Sequence, residues 1–183
     1  AEGLAGAVIC GTGNQSRALS KAGNFLARRI AASKGETARS KKLDSMGAGG
    51  FAKQIPNART PLDWLSTDPA VVDAYLADEM CGAMFTAGGY ATLTSLTYEA
   101  ASPACAAKIP HDLPLLFIAG AEDPVGECGR GVHAAADLAR RAGVRAAPAL
   151  APCLRAGRSS SRGLRGGAHH CEQLMALRGG ERW

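Results

Sequence analysis

Asp123 is the side chain with the clearest opportunity for chemistry in this sequence. It sits in Gly120-Ala-Glu-Asp-Pro-Val-Gly126, directly after the apolar run Leu115-Leu-Phe-Ile-Ala119. That run reads as a buried strand, and in open α/β sheets sites are built at the C-terminal ends of strands. A carboxylate there can orient a histidine from another loop, as the acid of a nucleophilic triad does. The same carboxylate can equally cap the helix that follows. Glu122 competes for either role, and Glu127 is a weaker candidate.

A partner nucleophile is harder to find. A serine nucleophile of this fold class needs G-x-S-x-G on a strand-to-helix turn, which exposes the hydroxyl beside an oxyanion-binding amide. Ser45 fails because Leu43 stands two residues before it and the charged stretch Arg39–Lys42 upstream cannot be a buried strand. Ser16 fails because Asn14 and Ala18 occupy the glycine positions. Gly11-Thr-Gly13 follows an apolar run, but a dinucleotide fingerprint would want glycine at Ser16 and an acid near Ser33, so the better reading is a turn at a strand end. No phosphate-binding P-loop sequence occurs. His111 lies in a Pro-bounded loop and His133 on a helix, both as surface residues. His169 and His170 stand beside Cys171 and Glu172, and adjacent residues cannot all converge on one metal. The six cysteines form no C-x-x-C pair and read as buried or incidental thiols in a reducing compartment. No cofactor is implied.

The elements that would position these groups follow an α/β pattern. Leu4–Cys10 reads as a strand buried on both faces. Residues 17–32 form an amphipathic helix with Leu19, Ala22, Phe25, Leu26 and Ile30 on its apolar stripe. Residues 45–66 are irregular, broken by glycines and by Pro56 and Pro61. Asp68-Pro69 starts a helix carrying Val72, Tyr75, Leu76 and Met80, and Thr86 caps another that runs to about Ala101. After the Leu115–Ala119 strand, a helix spans Gly131 to Gly143.

The chain has 183 residues and a formal net charge of +5, and 46% of it is hydrophobic, enough for one domain with a real core. Residues 1–144 carry 14 Lys/Arg and 14 Asp/Glu, so the whole excess lies in residues 145–183, with seven Arg and two Glu. That tail lacks Val, Ile, Phe, Tyr and Lys, shows no strand run, and reads as biased composition. Its arginines lack interleaved aromatics and imply no specific nucleic-acid partner. The most apolar run, Leu113–Ala121, contains Pro114 and Gly120 and falls far short of the ~20 residues of a membrane span. The chain starts at Ala1 and enters an apolar run almost at once, which suits a fragment beginning inside a domain.

Four stretches together resemble a known family. They are Leu4–Gly13, Arg59-Thr-Pro-Leu-Asp-Trp-Leu-Ser66 with Asp68–Tyr75, Asp78–Thr86, and Ile109–Gly126. Residues 1–144 resemble the C-terminal part of a bacterial α/β-hydrolase of the lysophospholipase/monoacylglycerol lipase type, within the serine aminopeptidase-like hydrolases. The resemblance implies a partial α/β-hydrolase sheet from residues 1–13 and 109–144. It implies a mostly helical cap over 14–108 and a disordered or aberrant tail, 145–183, that is not native-like. It makes Asp123 the triad acid in a serine hydrolase cleaving carboxylic esters of lipids, with the nucleophile outside this chain, which would therefore be inactive. Trp64, Leu65, Met80, Met84 and Phe85 would line an acyl pocket or form the cap's own core. The implied partner is a small-molecule lipid or other ester, with transient membrane-surface contact through the cap, in the cytoplasm. The catalytic His is expected at roughly 155–160, after one more strand, but that region holds none, which suggests that the sequence leaves its native frame soon after Val144. The alternative is a noncatalytic truncated product, or a binding module using the basic tail.

Overall fold

The computed structural model describes residues 3–151. Three parallel strands, β1 (Ala7–Cys10), β2 (Leu115–Gly120) and β3 (Ala146–Ala151), lie in the order β1-β2-β3. Ala7 is in register with Leu115, and Leu115 with Ala146. β2 is the middle strand and carries the core. Leu115, Phe117 and Ala119 pack on Val132, Ala136 and Ala139 of helix α6 (Arg130–Arg141). Val132 is fully buried. Burial of each of the larger side chains, Leu115, Phe117 and Val132, contributes roughly 1.5–3 kcal/mol. The β2–α6–β3 segment is thus a parallel crossover unit, in which the helix covers one face of the two strands it joins.

Two sequence expectations are corrected here. Residues after Val144 were expected to hold no strand, yet Ala146–Ala151 pairs with β2 along its whole length. β1 was expected to be buried on both faces. Only Ala7 and Ile9 pack against the core, while Val8 is 48% exposed and Cys10 is exposed.

The excursion between β1 and β2 is helical: α1 (Arg17–Lys34), α2 (Lys41–Met46), a 3₁₀ helix (Ala48–Gln54), α3 (Pro69–Ala77), α4 (Ala87–Ala100) and α5 (Pro103–Ala106). α1 and α4 pack together through small and polar side chains. Asn24 Nδ2 donates to the Ala91 carbonyl at 2.6 Å, and the Thr97 hydroxyl bonds Ser20 at 3.2 Å. The fully buried residues of α1 are Ser20 and Ala27; of the predicted stripe, Leu26 and Ile30 pack against the buried cluster of the excursion, while Leu19, Ala22 and Phe25 are exposed, Phe25 at 69%. Short polar side chains bridge the two helices through these hydrogen bonds, and Phe25 is left on the solvent side.

Both expected caps are present. The Asp68 carboxylate accepts from the Ala70 amide at 2.9 Å, and the Thr86 hydroxyl accepts from the Gly89 amide at 3.1 Å. Asp68→Ala is expected to remove about 1 kcal/mol and lower Tm by about 2–4 °C in a thermal melt. The loop before α3 is tied to it by Arg59, whose guanidinium meets Asp73 at 2.9 Å, while Asp63 accepts from the Thr60 hydroxyl at 2.6 Å. That Thr60 hydrogen bond holds the Asp63 carboxyl below its usual range.

Candidate functional site

β2 ends in the loop that carries Asp123, and the fold of that loop is set by its own backbone. The Asp123 Oδ1 accepts from the Val125 amide at 2.9 Å, and its carbonyl accepts from the Cys128 amide at 2.9 Å. The Gly126 carbonyl accepts from the amides of Gly129 and Gly131. Glu127 and Cys128, neither of them glycine, hold φ of 52° and 53°. Left-handed backbone at such residues costs free energy and persists only where the surroundings enforce it. Asp123 is therefore fixed at the strand end, half-buried, with its Oδ2 outside any hydrogen bond among the described residues. That is the geometry of an acceptor that can hold an imidazole N–H. Glu122 is exposed, and Glu127 forms an exposed pair with Arg130 at 3.8 Å, of little energetic weight.

The loop at the C-terminal end of β1 meets the Asp123 loop. A Cβ on Gly13 would lie 2.5 Å from the Val125 carbonyl oxygen, and one on Gly131 would lie 2.9 Å from the Asn14 amide nitrogen. Gly11-Thr-Gly13 is thus a turn at a strand end, as its spacing suggested: Gly13 serves contact with the neighbouring loop, and Gly11 holds φ of 68° with no neighbour where a Cβ would stand.

Beneath these loops, between the sheet and the helical excursion, lies a cavity of about 650 Å³ lined chiefly by apolar side chains, among them Leu19, Phe51, Leu93, Phe117 and Val125. A second, more polar pocket of about 480 Å³ adjoins it, lined by Pro124 and Glu127 from the Asp123 loop and by Arg130 at the start of α6. None of Trp64, Leu65, Met80, Met84 and Phe85 lines the cavity. Nor do they form the buried cluster of the excursion, which is Ala27, Leu43, Ala87 and Tyr90. Met80 is 90% exposed and Phe85 50%. Phe51, which sequence patterning missed because residues 45–66 carry no helical stripe, takes the lining role. Trp64 stands behind it, ring centroids 5.0 Å apart.

Tyr90 closes the wall of the cavity. Its hydroxyl donates to Asp44 Oδ1 at 3.0 Å. Burial, then the Asp44 hydrogen bond, push the phenol up to about 12. Below pH 10 the phenol is protonated in both folded and unfolded chains, and its contribution is intact. Between 10 and about 12 the unfolded chain loses the proton while the folded chain keeps it, so stability falls as pH rises. Tyr90→Phe cannot titrate. Its stability deficit, read by urea unfolding, is expected to shrink by about 2 kcal/mol between pH 10 and 12.

The remaining candidates are scattered. Ser16 is the N-cap residue of α1 and makes no capping hydrogen bond, and the Ser45 hydroxyl donates to the Lys42 carbonyl within α2. Neither stands on a strand-to-helix turn with flanking glycines. His111 and His133 are on the surface, as expected. Among the described residues Cys10, Cys105 and Cys128 are exposed and Cys81 is half-buried, so of the two alternatives foreseen, buried or incidental thiols, none of these four is of the buried kind. No three His, Cys, Asp or Glu side chains converge as metal ligands among the described residues. His169, His170, the 155–160 region and the rest of the tail lie outside the described residues.

A family model described as serine aminopeptidase, S33, matches residues 1–148. Among solved structures, the chain is similar to a highly thermostable carboxyl esterase from Bacillus coagulans in complex with glycerol. That likeness has 23% identity and a TM-score of 0.78, and covers 98% of this chain and 57% of the other. It is also similar to a lipase in its open form, with 23% identity and a TM-score of 0.72, covering 92% and 57%. The chain thus spans less than two thirds of the length of either. No curated protein sequence matches.

Proposed function

Because the chain belongs to the serine aminopeptidase (S33) hydrolase family and has the α/β-hydrolase fold, we propose that it is the acid-bearing part of a serine ester hydrolase acting on carboxylic esters of lipids. The observation that carries this is Asp123, held at the end of β2 by Val125 beside an apolar cavity. In this reading a serine hydroxyl attacks the ester carbonyl while a histidine accepts its proton, and backbone amides bind the oxyanion. The tetrahedral intermediate expels the alcohol, which takes the proton back from the histidine. Water then attacks the acyl-enzyme by the same route and releases the carboxylic acid. Asp123 holds the histidine in the tautomer that can accept, and stabilises the imidazolium.

The nucleophile is proposed to precede Ala1, since no G-x-S-x-G occurs in the chain and the family order is Ser, Asp, His. The histidine follows β3 in that order, where His169 and His170 are the available residues. The lining of the cavity supports an acyl chain over a charged peptide amine. A lysophospholipid or a monoacylglycerol meets this description.

The test starts at the gene. A G-x-S-x-G codon pattern is expected about twenty residues upstream of Leu4, and the intact product is expected to hydrolyse p-nitrophenyl esters. The 183-residue chain alone is expected to show no turnover. An upstream sequence without the serine motif overturns the ester-hydrolase reading. Turnover by residues 1–183 alone overturns the placement of the nucleophile. Translating the codons after Ala151 in the other two frames tests whether an in-family histidine was lost there.

A further inference from the structure

We propose that Phe51 is the partition between an acyl-chain chamber and a polar compartment for the rest of the substrate, and that it sets the chain-length preference; this rests on the ester-hydrolase reading above. The apolar cavity and the polar pocket share three lining residues, Gln15, Leu19 and Phe51. On one side of Phe51 the walls are Phe117, Leu138 and Ala139. On the other they are Ser16, Gln54, Glu127 and Arg130. The same 3₁₀ helix thus presents an aromatic ring to the apolar chamber and a terminal amide to the polar one.

Phe51 is held in this place from behind and from below. Its ring rests on Trp64, tilted by 57°. The segment leading to it is pinned by the Tyr90–Asp44 hydrogen bond and by Gly47, where a Cβ would come within 2.9 Å of the Tyr90 ring. The Gly50 amide donates to the Gly47 carbonyl at 2.9 Å, which fixes the turn immediately before the ring. A straight aliphatic chain entering the chamber gains affinity with each methylene it buries, about fourfold apiece. The gain stops where the ring stops it.

The test uses the 183-residue chain and straight-chain carboxylates from hexanoate to hexadecanoate, read by displacement of 1-anilinonaphthalene-8-sulfonate. Affinity is expected to rise about fourfold per carbon and then level. Phe51→Ala is expected to level at least two carbons later, a gain of about 16-fold for the longer acids. Phe51→Trp is expected to level at a shorter chain. Phe25→Ala, on the exposed side of α1, should leave the series unchanged. Levelling of both Phe51 variants at the wild-type length overturns the partition, as does an equal shift in Phe25→Ala. A shift in length without ester turnover by the intact gene product supports the partition and overturns the ester reading. Ester turnover without a shift overturns the partition alone.

Discussion

Replacing Asp123 with Asn in the intact gene product is expected to lower kcat for a p-nitrophenyl ester by about 10³–10⁴-fold, with KM little changed. The amide oxygen of Asn can still accept from the Val125 amide, as Asp123 Oδ1 does at 2.9 Å, so the loop keeps its shape. On the proposed mechanism, what is lost is the negative charge that would face the histidine. A neutral amide can present an N–H instead, which favours the wrong imidazole tautomer and leaves the imidazolium of the transition state without a counter-charge. The loss therefore falls on the chemical step. Glu122→Gln is the control: the side chain is exposed, and the substitution should change kcat less than twofold. A drop of less than tenfold in Asp123→Asn, with the melting temperature unchanged, would remove Asp123 from the mechanism.

Elements announced by local chemistry were legible in the sequence. The Asp68 and Thr86 caps, the β2 run and the helix before Gly143 all depend on residues adjacent in the chain; β2, α4 and α6 lie within about two residues of their expected bounds, while the Asp68 helix ends at Ala77 and leaves Met80 outside it. The place of Asp123 in the loop leaving β2 was legible for the same reason, because a strand and its following loop are contiguous. Elements decided by distant partners were not legible. β3 reads Ala-Ala-Pro-Ala-Leu-Ala, without a β-branched or aromatic residue and with Pro148 inside it. It is a strand because β2 offers it a ladder, and Pro148 is tolerated because β3 pairs on one side only among the described residues. α1 misled for a related reason. The side it turns to α4 is set in part by hydrogen bonds, from Asn24 to the Ala91 carbonyl and from Thr97 to Ser20, which a hydrophobic stripe does not register. The cavity lining depends on a 3₁₀ helix rich in glycine, and no periodicity marks where its single aromatic residue will point.

Gly13→Ala is expected to cost about 3 kcal/mol and lower Tm by about 6–12 °C. The added Cβ would sit 2.5 Å from the Val125 carbonyl oxygen, a backbone atom that no rotamer change can move. Relief requires one loop to retreat from the other. The carbonyl belongs to the residue whose amide holds Asp123, so the retreat displaces the carboxylate as well. In the intact gene product the substitution should therefore lower kcat beyond any loss of folded protein, whereas Asp68→Ala, which also destabilises, should leave kcat per folded molecule unchanged. Gly131→Ala acts on the same seam, since its Cβ would meet the Asn14 amide nitrogen at 2.9 Å and the Gly13 Cα at 3.2 Å. Once one substitution has parted the loops, the second meets less resistance. The double variant is expected to lose less stability than the two single losses added together, a coupling of about 1 kcal/mol or more in a double-mutant cycle. Strict additivity, or a Gly13→Ala melt within 2 °C of the parent, would mean that the two loops are not held against each other and that Asp123 is positioned by its own turn alone.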